Sequence, residues 1–285
     1  MGPSDAMDVD SPSSPYVGWV APPTSNVYHN PDGSTWIKTC WDDEISTADR
    51  INEFLARWPP SGTPDTYAGW ISVVRCRIPS PNAIPADVPA LQQSFQAPSE
   101  AGQVTTASLD DIAKRHGVVV GKWLIFSSGM EGVDGLWANV VRLVCTERRR
   151  GSAKVSTRKA GPAYTQEGQG NEHVICVYVD DYTNLQDVME LRDDLGRIGI
   201  HWKIGFKPDS YTHLGIYSQN KWGIRPTRYS GRALKLTGLP VQSRKVLRNR
   251  DGFIVIFRVR DLVCAESVQI VMVIIREDDK YYTIE

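Results

Sequence analysis

The sequence predicts an α+β protein with a mostly antiparallel β-sheet and helices on one face. Three helical stripes occur singly among many short strand patterns, and the connections near the end of the chain are of the hairpin type. Strict alternation of strand and helix is absent. Single helices inserted among hairpin-connected strands are typical of the α+β class.

The first helix is predicted from a capping signal and an apolar stripe. Ser46 and Asp49 have the spacing of a capping box. Apolar side chains then recur at helical intervals from Ile51 to Trp58, and Pro59-Pro60 ends the helix. The same periodicity predicts two further helices, at 134–147 and 184–198.

The strands are predicted from alternation and from short apolar runs. Residues 70–78 alternate, with Trp70 and Val74 on the predicted core face and Arg75 on the predicted wet face. Further strands are expected at 118–126, 153–158, 173–179, 202–206, 213–217, 225–229, 233–237, 253–260 and 268–275.

Composition divides the chain into a tail and one domain. Residues 1–34 are rich in Pro and Ser and contain few large aliphatic side chains, so we expect a disordered acidic tail. Residues 35–285 are predicted to form a single domain, in which 79–117 is a long mobile loop without periodicity. The strands of 236–285 extend that domain.

Positive charge is concentrated in two segments of a nearly neutral chain. The formal net charge of the 285 residues is -1. Residues 142–159 contain seven Lys or Arg and one Glu, and residues 201–250 contain eleven Lys or Arg and one Asp. Such segregation is typical of a surface for an anionic partner, and solvated loops are the alternative.

Aromatic side chains accompany this charge at two places. Trp41 precedes three acids at 42–44, which could pair with a base edge or simply favour the following helix. In the segment 206–229, Lys207, Tyr211 and Arg225 stand in short turns fixed by Pro and Gly. Rings at strand ends also cover cores, so the alternative here is packing.

Motifs for catalysis, metals and cofactors are absent from the sequence. The five His do not pair with each other or with Cys at zinc spacing, and there is no P-loop or nucleophile elbow. We therefore expect a non-enzymatic protein without a cofactor or metal. The five scattered Cys predict reduced thiols, and the lack of a signal peptide or membrane span predicts a cytoplasmic or nuclear protein.

Local strings resemble a known family. Residues 121–126 (GKWLIF), 134–145, 153–159 and 173–199 follow the order and spacing of the mRNA cap-binding initiation factor of the 4E type. The chain more closely resembles the basophilic-leukaemia-expressed protein family, which has a 4E-like fold, and residues 206–229 carry most of that likeness. The resemblance covers roughly 35–235 and implies a curved antiparallel sheet backed by three helices.

The resemblance also implies a binding site. The cap-binding factor holds a methylated guanine between two Trp, reads its edge with a Glu and holds its phosphates with Arg and Lys. Trp41 is similar in position to the first stacking Trp, and Arg158-Lys159, with Lys154 nearby, to the phosphate-binding residues. The loop before GKWLIF contains no Trp, and the role of the Glu is unfilled unless Glu100, Asp110 or Asp111 substitutes. The resemblance therefore implies an incomplete cap pocket.

Two functions from different classes follow. The favoured one is a protein that binds RNA or a nucleotide phosphate through the concave sheet face and basic loops, using Trp41, Lys154, Arg158, Lys159, Lys207, Tyr211 and Arg225. The alternative is an interaction scaffold that docks a protein partner on its helical face, where Trp58 or Trp137 would be exposed. A nucleotide hydrolase using the acids at 42–44 is the least favoured.

Overall fold

The structure, a computed structural model, describes residues 26–75, 84–128, 130–159 and 172–231, and beyond these the backbone of four C-terminal strands. The α-helices are α1 (Ala48–Arg57), α2 (Val88–Glu100), α3 (Thr106–Arg115), α4 (Met130–Arg142), α5 (Leu185–Arg197) and α6 (Asp209–His213). A π-helical segment, Leu143–Arg148, continues α4.

Twelve strands belong to the described residues. They are β1 (Val27–His29), β2 (Thr35–Trp41), β3 (Trp70–Arg75), β4 (Gly121–Ser128), β5 (Ser152–Ser156), β6 (Glu172–Val179), β7 (Ile204–Pro208), β8 (Tyr229–Gly231), β9 (Ser243–Arg248), β10 (Ile254–Val259), β11 (Ile270–Ile275) and β12 (Tyr281–Ile284). The strands β2 and β3 are parallel. The pairs β1–β2, β3–β5, β4–β7, β7–β8 and β10–β11 are antiparallel. The predicted α+β class is confirmed.

The chain forms two compact units. The first contains Met1–Ile78 and Phe126–Val177, and the second contains Pro79–Ile125 and Tyr178–Glu285. In the first unit the strand order is β1-β2-β3-β5-β6. In the second, β7 pairs with β4 and β8, while β9 to β12 form a separate four-stranded sheet in the order β12-β11-β10-β9. The last two predicted apolar strands are thereby confirmed.

The first unit packs its helices on one face of its sheet. Ile37, Ile71 and Val155 occupy successive strands and are completely buried on this face. Trp137 of α4 and Trp58, next to α1, are also completely buried. Alternation sends the neighbouring residues of each strand to the opposite face. The core of the unit therefore lies between the sheet and the helices.

The structure reverses the predicted faces of β3. Arg75, which the pattern assigned to water, is only 6% exposed, and Trp70, which the pattern assigned to the core, is only partly buried. The guanidinium is satisfied inside the unit, because it donates to the carbonyl oxygens of Asp42 (2.7 Å) and Cys145 (3.2 Å). A buried arginine with acceptors of this kind can replace an apolar side chain without leaving donors unpaired.

The predicted loop 79–117 is wrong for most of its length, because α2 and α3 lie within it. Asp87 caps α2 by accepting from the amide of Ala90, and a proline stands in the first turn. Thr105 and Ser108 form a capping box at the start of α3. These caps fix helix starts that a weak apolar periodicity does not reveal.

Other boundaries also differ. The strand β1 pairs with β2, so described order begins before residue 35; residues 1–25 lie outside the described residues. The cap of α1 is Thr47 rather than Ser46. The predicted strand at 213–217 is not observed, since α6 and a turn cover that range, and the strand at 233–237 lies outside the described residues.

The cysteines are not all reduced. Cys40 is disulfide-bonded, so the expectation of five reduced thiols is wrong for this residue. Cys145 and Cys176 are free and buried. Burial raises the pKa of the Cys145 thiol to about 12, although the charge of Arg75 acts in the opposite direction. No helix in the described part of the chain is both long and apolar enough to cross a membrane.

Candidate nucleic-acid interface

Three aromatic side chains lie side by side on the face of the first unit's sheet opposite α1 and α4. Tyr28 of β1 is opposite Trp36 of β2, and Trp36 is opposite Trp70 of β3. Residues directly opposite each other in neighbouring strands point to the same face. We call Tyr28, Trp36 and Trp70 the aromatic row.

A second row of side chains runs beside the first. Lys38 of β2 is opposite Ser72 of β3, and Ser72 is opposite Lys154 of β5. Lys38 lies two residues from Trp36 along β2, and Ser72 lies two residues from Trp70 along β3, a distance of about 7 Å in each strand. We call Lys38, Ser72 and Lys154 the basic row.

Lys154 connects the two rows. Its Nζ atom lies 4.1 Å from the ring centroid of Trp70 and 4.4 Å from that of Trp36. The two indole centroids are 6.0 Å apart with their planes tilted by 42°. The ammonium group is thus close enough to both ring faces for cation–π attraction. The indole N–H of Trp36 donates to Ser34 Oγ (3.0 Å), which orients that ring.

These rings are accessible to different degrees. Tyr28 is 50% exposed, Lys38 is exposed, and Trp36, Trp70 and Lys154 are partly buried. Partial burial holds the indoles in place while part of their surface remains in water. The arrangement can stack planar groups on the rings and hold anions at the lysines.

Trp41, the residue predicted to stack a base, lies in the core of the first unit. It is 3% exposed and meets Phe54 of α1 edge to face, with centroids 5.7 Å apart. It falls on the same face of β2 as Ile37, whereas Trp36 points the other way. As placed, its ring offers no free face for stacking, because it is buried against α1.

The acids that follow Trp41 support their own loop. The Asp42 carboxylate accepts from the backbone amides of Glu44 (3.0 Å) and Ile45 (2.9 Å). Asp43 forms salt bridges with Arg75 and Arg149. Both carboxylates therefore have structural partners within the first unit.

Three predicted basic residues lie on or just after β5. Lys154 belongs to the basic row described above. Arg158 is partly buried. Its backbone amide donates to the carbonyl oxygen of Thr63 (2.9 Å), and an isolated β-bridge joins Arg158 to Pro64 in the loop before β3. Lys159 is exposed. The three cations thus follow one another along the same end of the first unit's sheet.

Lys207, in the second unit, is largely inaccessible. It is 7% exposed, and its Nζ atom lies 3.9 Å from the ring centroid of Tyr217. Burial lowers its pKa, the like charge of Lys122 on the neighbouring strand lowers it further, and the Asp209 carboxylate raises it. Asp209 pairs with Lys122 at 2.5 Å. These contacts fit a structural lysine better than a phosphate ligand.

Tyr211 is buried and Arg225 is exposed. Tyr211 is 1% exposed. Burial raises its pKa, and the nearby Asp110 carboxylate raises it further. Lys207, Tyr211 and Arg225 are the predicted binding residues of the second unit. Of these three, Arg225 is the one that is exposed.

The burial of Tyr211 predicts a specific pH dependence. Because its pKa is raised in the folded state, the unfolded chain ionises first, and stability falls as the pH rises above 10. The variant Tyr211→Phe should lose up to about 1.4 kcal/mol per pH unit of that slope. At pH 7 its stability should stay within about 1 kcal/mol of the parent. Urea unfolding at pH 7 to 11 measures both effects, and an unchanged alkaline slope would contradict the assignment.

Asp110, a candidate substitute for the cap-reading Glu, is also engaged. Its carboxylate accepts from the Tyr182 hydroxyl (2.9 Å) and pairs with Arg228 (3.3 Å).

On the helical side of the first unit, Trp58 and Trp137 are completely buried, so neither provides the exposed apolar surface that a docked partner would need. Core packing accounts for both indoles.

The aromatic row was missed in the sequence, although a signal was present. Along β2, Trp36 and Lys38 alternate with Ile37 and Trp41. If Trp41 packs under the helix, alternation sends Trp36 and Lys38 to the opposite face. The pairing of Trp36 with Trp70 depends on a parallel register that the sequence does not specify.

Among the residues that the structure describes, no group of three or more His, Cys, Asp or Glu side chains could hold a metal ion.

A crystal structure of schistosome eIF4E complexed with m7GpppA and 4E-BP is similar at 19% identity and a TM-score of 0.29. The match covers 39% of this chain and 58% of that chain. The profile of the basophilic leukemia-expressed protein Bles03 family matches residues 90–215, which confirms the predicted resemblance to this family over that range.

Proposed function

We propose that the protein binds single-stranded RNA, without catalysis, on the face of the first unit's sheet opposite α1 and α4. The observation that carries the proposal is the aromatic row Tyr28, Trp36 and Trp70 beside the basic row with Lys38 and Lys154. Bases would stack on the first row and phosphates would approach the second. The proposal keeps a face of the sheet as the binding surface and replaces Trp41 as the stacking residue.

The aromatic row suits bases whose order is unspecified. The ring centroids of Trp36 and Trp70 are 6.0 Å apart and their planes are tilted by 42°, so each ring would stack its own base. Every base has a π-face, and stacking on an aromatic side chain contributes about 1–3 kcal/mol per base. The row would therefore contribute affinity with little sequence preference.

The basic row would neutralise the backbone. Lys154 now lies over both indoles, and on binding it would exchange the ring faces for a phosphate. Each cation–π contact given up is worth about 0.5–1 kcal/mol at an exposed site and about 2 kcal/mol when desolvated, against about 1.5–3 kcal/mol for a charge-assisted hydrogen bond to phosphate. Arg158 and Lys159, at the end of β5, would extend the same path for the backbone.

The salt dependence of binding tests the basic row. The double variant Lys38→Ala, Lys154→Ala should reduce the slope of log K against log salt by about 1.4 for a single strand, because two phosphate contacts are lost. Fluorescence anisotropy of a labelled octauridylate at five salt concentrations measures the slope. The matched control Lys114→Ala, Arg115→Ala removes two exposed cations from α3 and should leave it unchanged.

The ligands to be compared define the class. Octauridylate, a methylated cap analogue and GTP should be titrated in parallel. Saturable binding of the RNA with the expected loss of slope supports the proposal. An unchanged slope in the lysine variant, or binding restricted to the two nucleotides, would refute an RNA path along this face.

A further inference from the structure

The turn between β1 and β2, residues 30–34, is joined to the aromatic row by a hydrogen bond. Ser34 Oγ accepts from the indole N–H of Trp36 (3.0 Å). Ser34 is the last residue before β2, and Trp36 is the second residue of that strand. The bond therefore links the end of the turn to one ring of the proposed RNA surface.

The Ser34 hydroxyl is itself held by the turn. It donates to Asp32 Oδ1 (2.7 Å) and accepts a second hydrogen bond from Asn30 Nδ2 (3.1 Å). A hydroxyl group has one donor and two acceptor sites, so these two bonds and the bond from Trp36 use all of them. The oxygen that receives the indole N–H is consequently fixed in position.

The same side chains fix the backbone of the turn. The Asp32 carboxylate also accepts from the backbone amide of Ser34 (2.9 Å), and the Asn30 side-chain amide donates to the carbonyl oxygen of Ser34 (3.2 Å). The hydrogen bond from the Ser34 hydroxyl, followed by the one from its backbone amide, lowers the pKa of the Asp32 carboxyl. The carboxylate is therefore ionised at neutral pH, and both of its bonds to Ser34 are charge-assisted.

We infer that Ser34, held by Asp32 and Asn30, is a positioning residue that orients the Trp36 ring for stacking, an inference that rests on the proposed RNA binding. Trp36 is only partly buried, so packing restrains its ring less than it restrains an indole of the core. The bond to Ser34 holds one orientation of the ring before the ligand arrives. A side chain that is already ordered loses less conformational entropy on binding.

The bond between Ser34 and Trp36 has a spectroscopic signature that needs no ligand. In a proton–nitrogen correlation spectrum of the full chain, Ser34→Ala should shift the indole N–H resonance of Trp36 upfield. Exchange of this proton with water should become faster, because the N–H loses its acceptor. Ser34→Thr retains a hydroxyl group and should restore both properties, and Trp36→Leu identifies the resonance.

The affinity for RNA tests the positioning role. Ser34→Ala should weaken the binding of labelled octauridylate about threefold, which is within the range for one hydrogen bond, and Ser34→Thr should recover most of this loss. The slope of log K against log salt should stay unchanged, because no phosphate contact is removed. In a Trp36→Leu background, Ser34→Ala should have no further effect, since the ring on which it acts is gone.

Thr183→Ala is the matched control. Thr183 forms the same pair of bonds with Asp181, from its hydroxyl (2.7 Å) and from its backbone amide (2.8 Å). It lies in the second unit, in a turn without a residue of the aromatic row. Its replacement should leave the affinity for octauridylate at the parent value.

Parent-like affinity of Ser34→Ala, or an equal loss in the Trp36→Leu background or in Thr183→Ala, would overturn the inference and leave the proposed function standing. An unshifted indole resonance in Ser34→Ala would overturn it as well. The absence of saturable octauridylate binding by the parent is a different result, because it would overturn the proposed function and this inference together.

Discussion

Replacing Trp36 and Trp70 together by leucine is expected to weaken the binding of single-stranded RNA at least about thirtyfold. Each indole would stack one base, and each stacked base contributes about 1–3 kcal/mol. The loss of both is therefore about 2–6 kcal/mol, and about 1.4 kcal/mol corresponds to tenfold in affinity. This is the largest effect that the proposed function predicts for any pair of side chains.

Leucine is chosen because it retains apolar volume between the strands. Both indoles are only partly buried, so their replacement should leave the core of the unit in place. The far-UV circular dichroism spectrum and the urea midpoint of the variant check this directly. A variant with a parent-like spectrum and a lost affinity separates stacking from folding.

The matched control is Trp202→Leu in the second unit. Trp202 is 43% exposed, and it does not belong to the aromatic row. Anisotropy titrations with labelled octauridylate at one fixed salt concentration should give parent-like affinity for this control. The single variants Trp36→Leu and Trp70→Leu should each lose about fivefold or more. Parent-like affinity of the double variant would reject the aromatic row as the binding surface.

The sequence predicts the class of fold because its evidence is local. Helical stripes and strand alternation depend on residues a few positions apart, and they correctly identify α1, α4 and α5. The helices α2 and α3 were missed because their starts depend on caps, Asp87 and Thr105, within a segment rich in Pro, Gln and Ser. Capping is a local signal as well, and it outweighed the weak periodicity.

The candidate site was harder to predict because it depends on long-range register. Trp36 and Trp70 are 34 positions apart, and a parallel register brings them together. Alternation along β3 does not say which of its two faces is buried. The prediction that Arg75 faces water is wrong, because its side chain is buried. The resemblance implies Lys154 as a phosphate-binding residue, but it does not reveal the two indole rings beneath the ammonium group.

Arg75→Met is expected to destabilise the protein by about 3 kcal/mol, the largest effect on folding among these variants. The side chain is 4% exposed and donates to the carbonyl oxygens of Asp42 and Cys145 and to Ser46 Oγ. Methionine fills a similar volume but leaves buried acceptors without donors, each at about 1–3 kcal/mol. Arg75→Lys should recover little, because an ammonium does not present the same fork of donors.

Arg149→Met is the matched control, because Arg149 pairs with the same carboxylate as Arg75. Its side chain is 56% exposed and lies 2.5 Å from Asp43. A pair open to water contributes about 0–1 kcal/mol, so the control should shift the urea midpoint only slightly. Equal shifts in the two variants would mean that the shared salt bridge, and not the buried carbonyl contacts, stabilises this region. The expected contrast instead assigns the stability to the buried face of β3, the face whose inward arginine allows Trp70 to point outward.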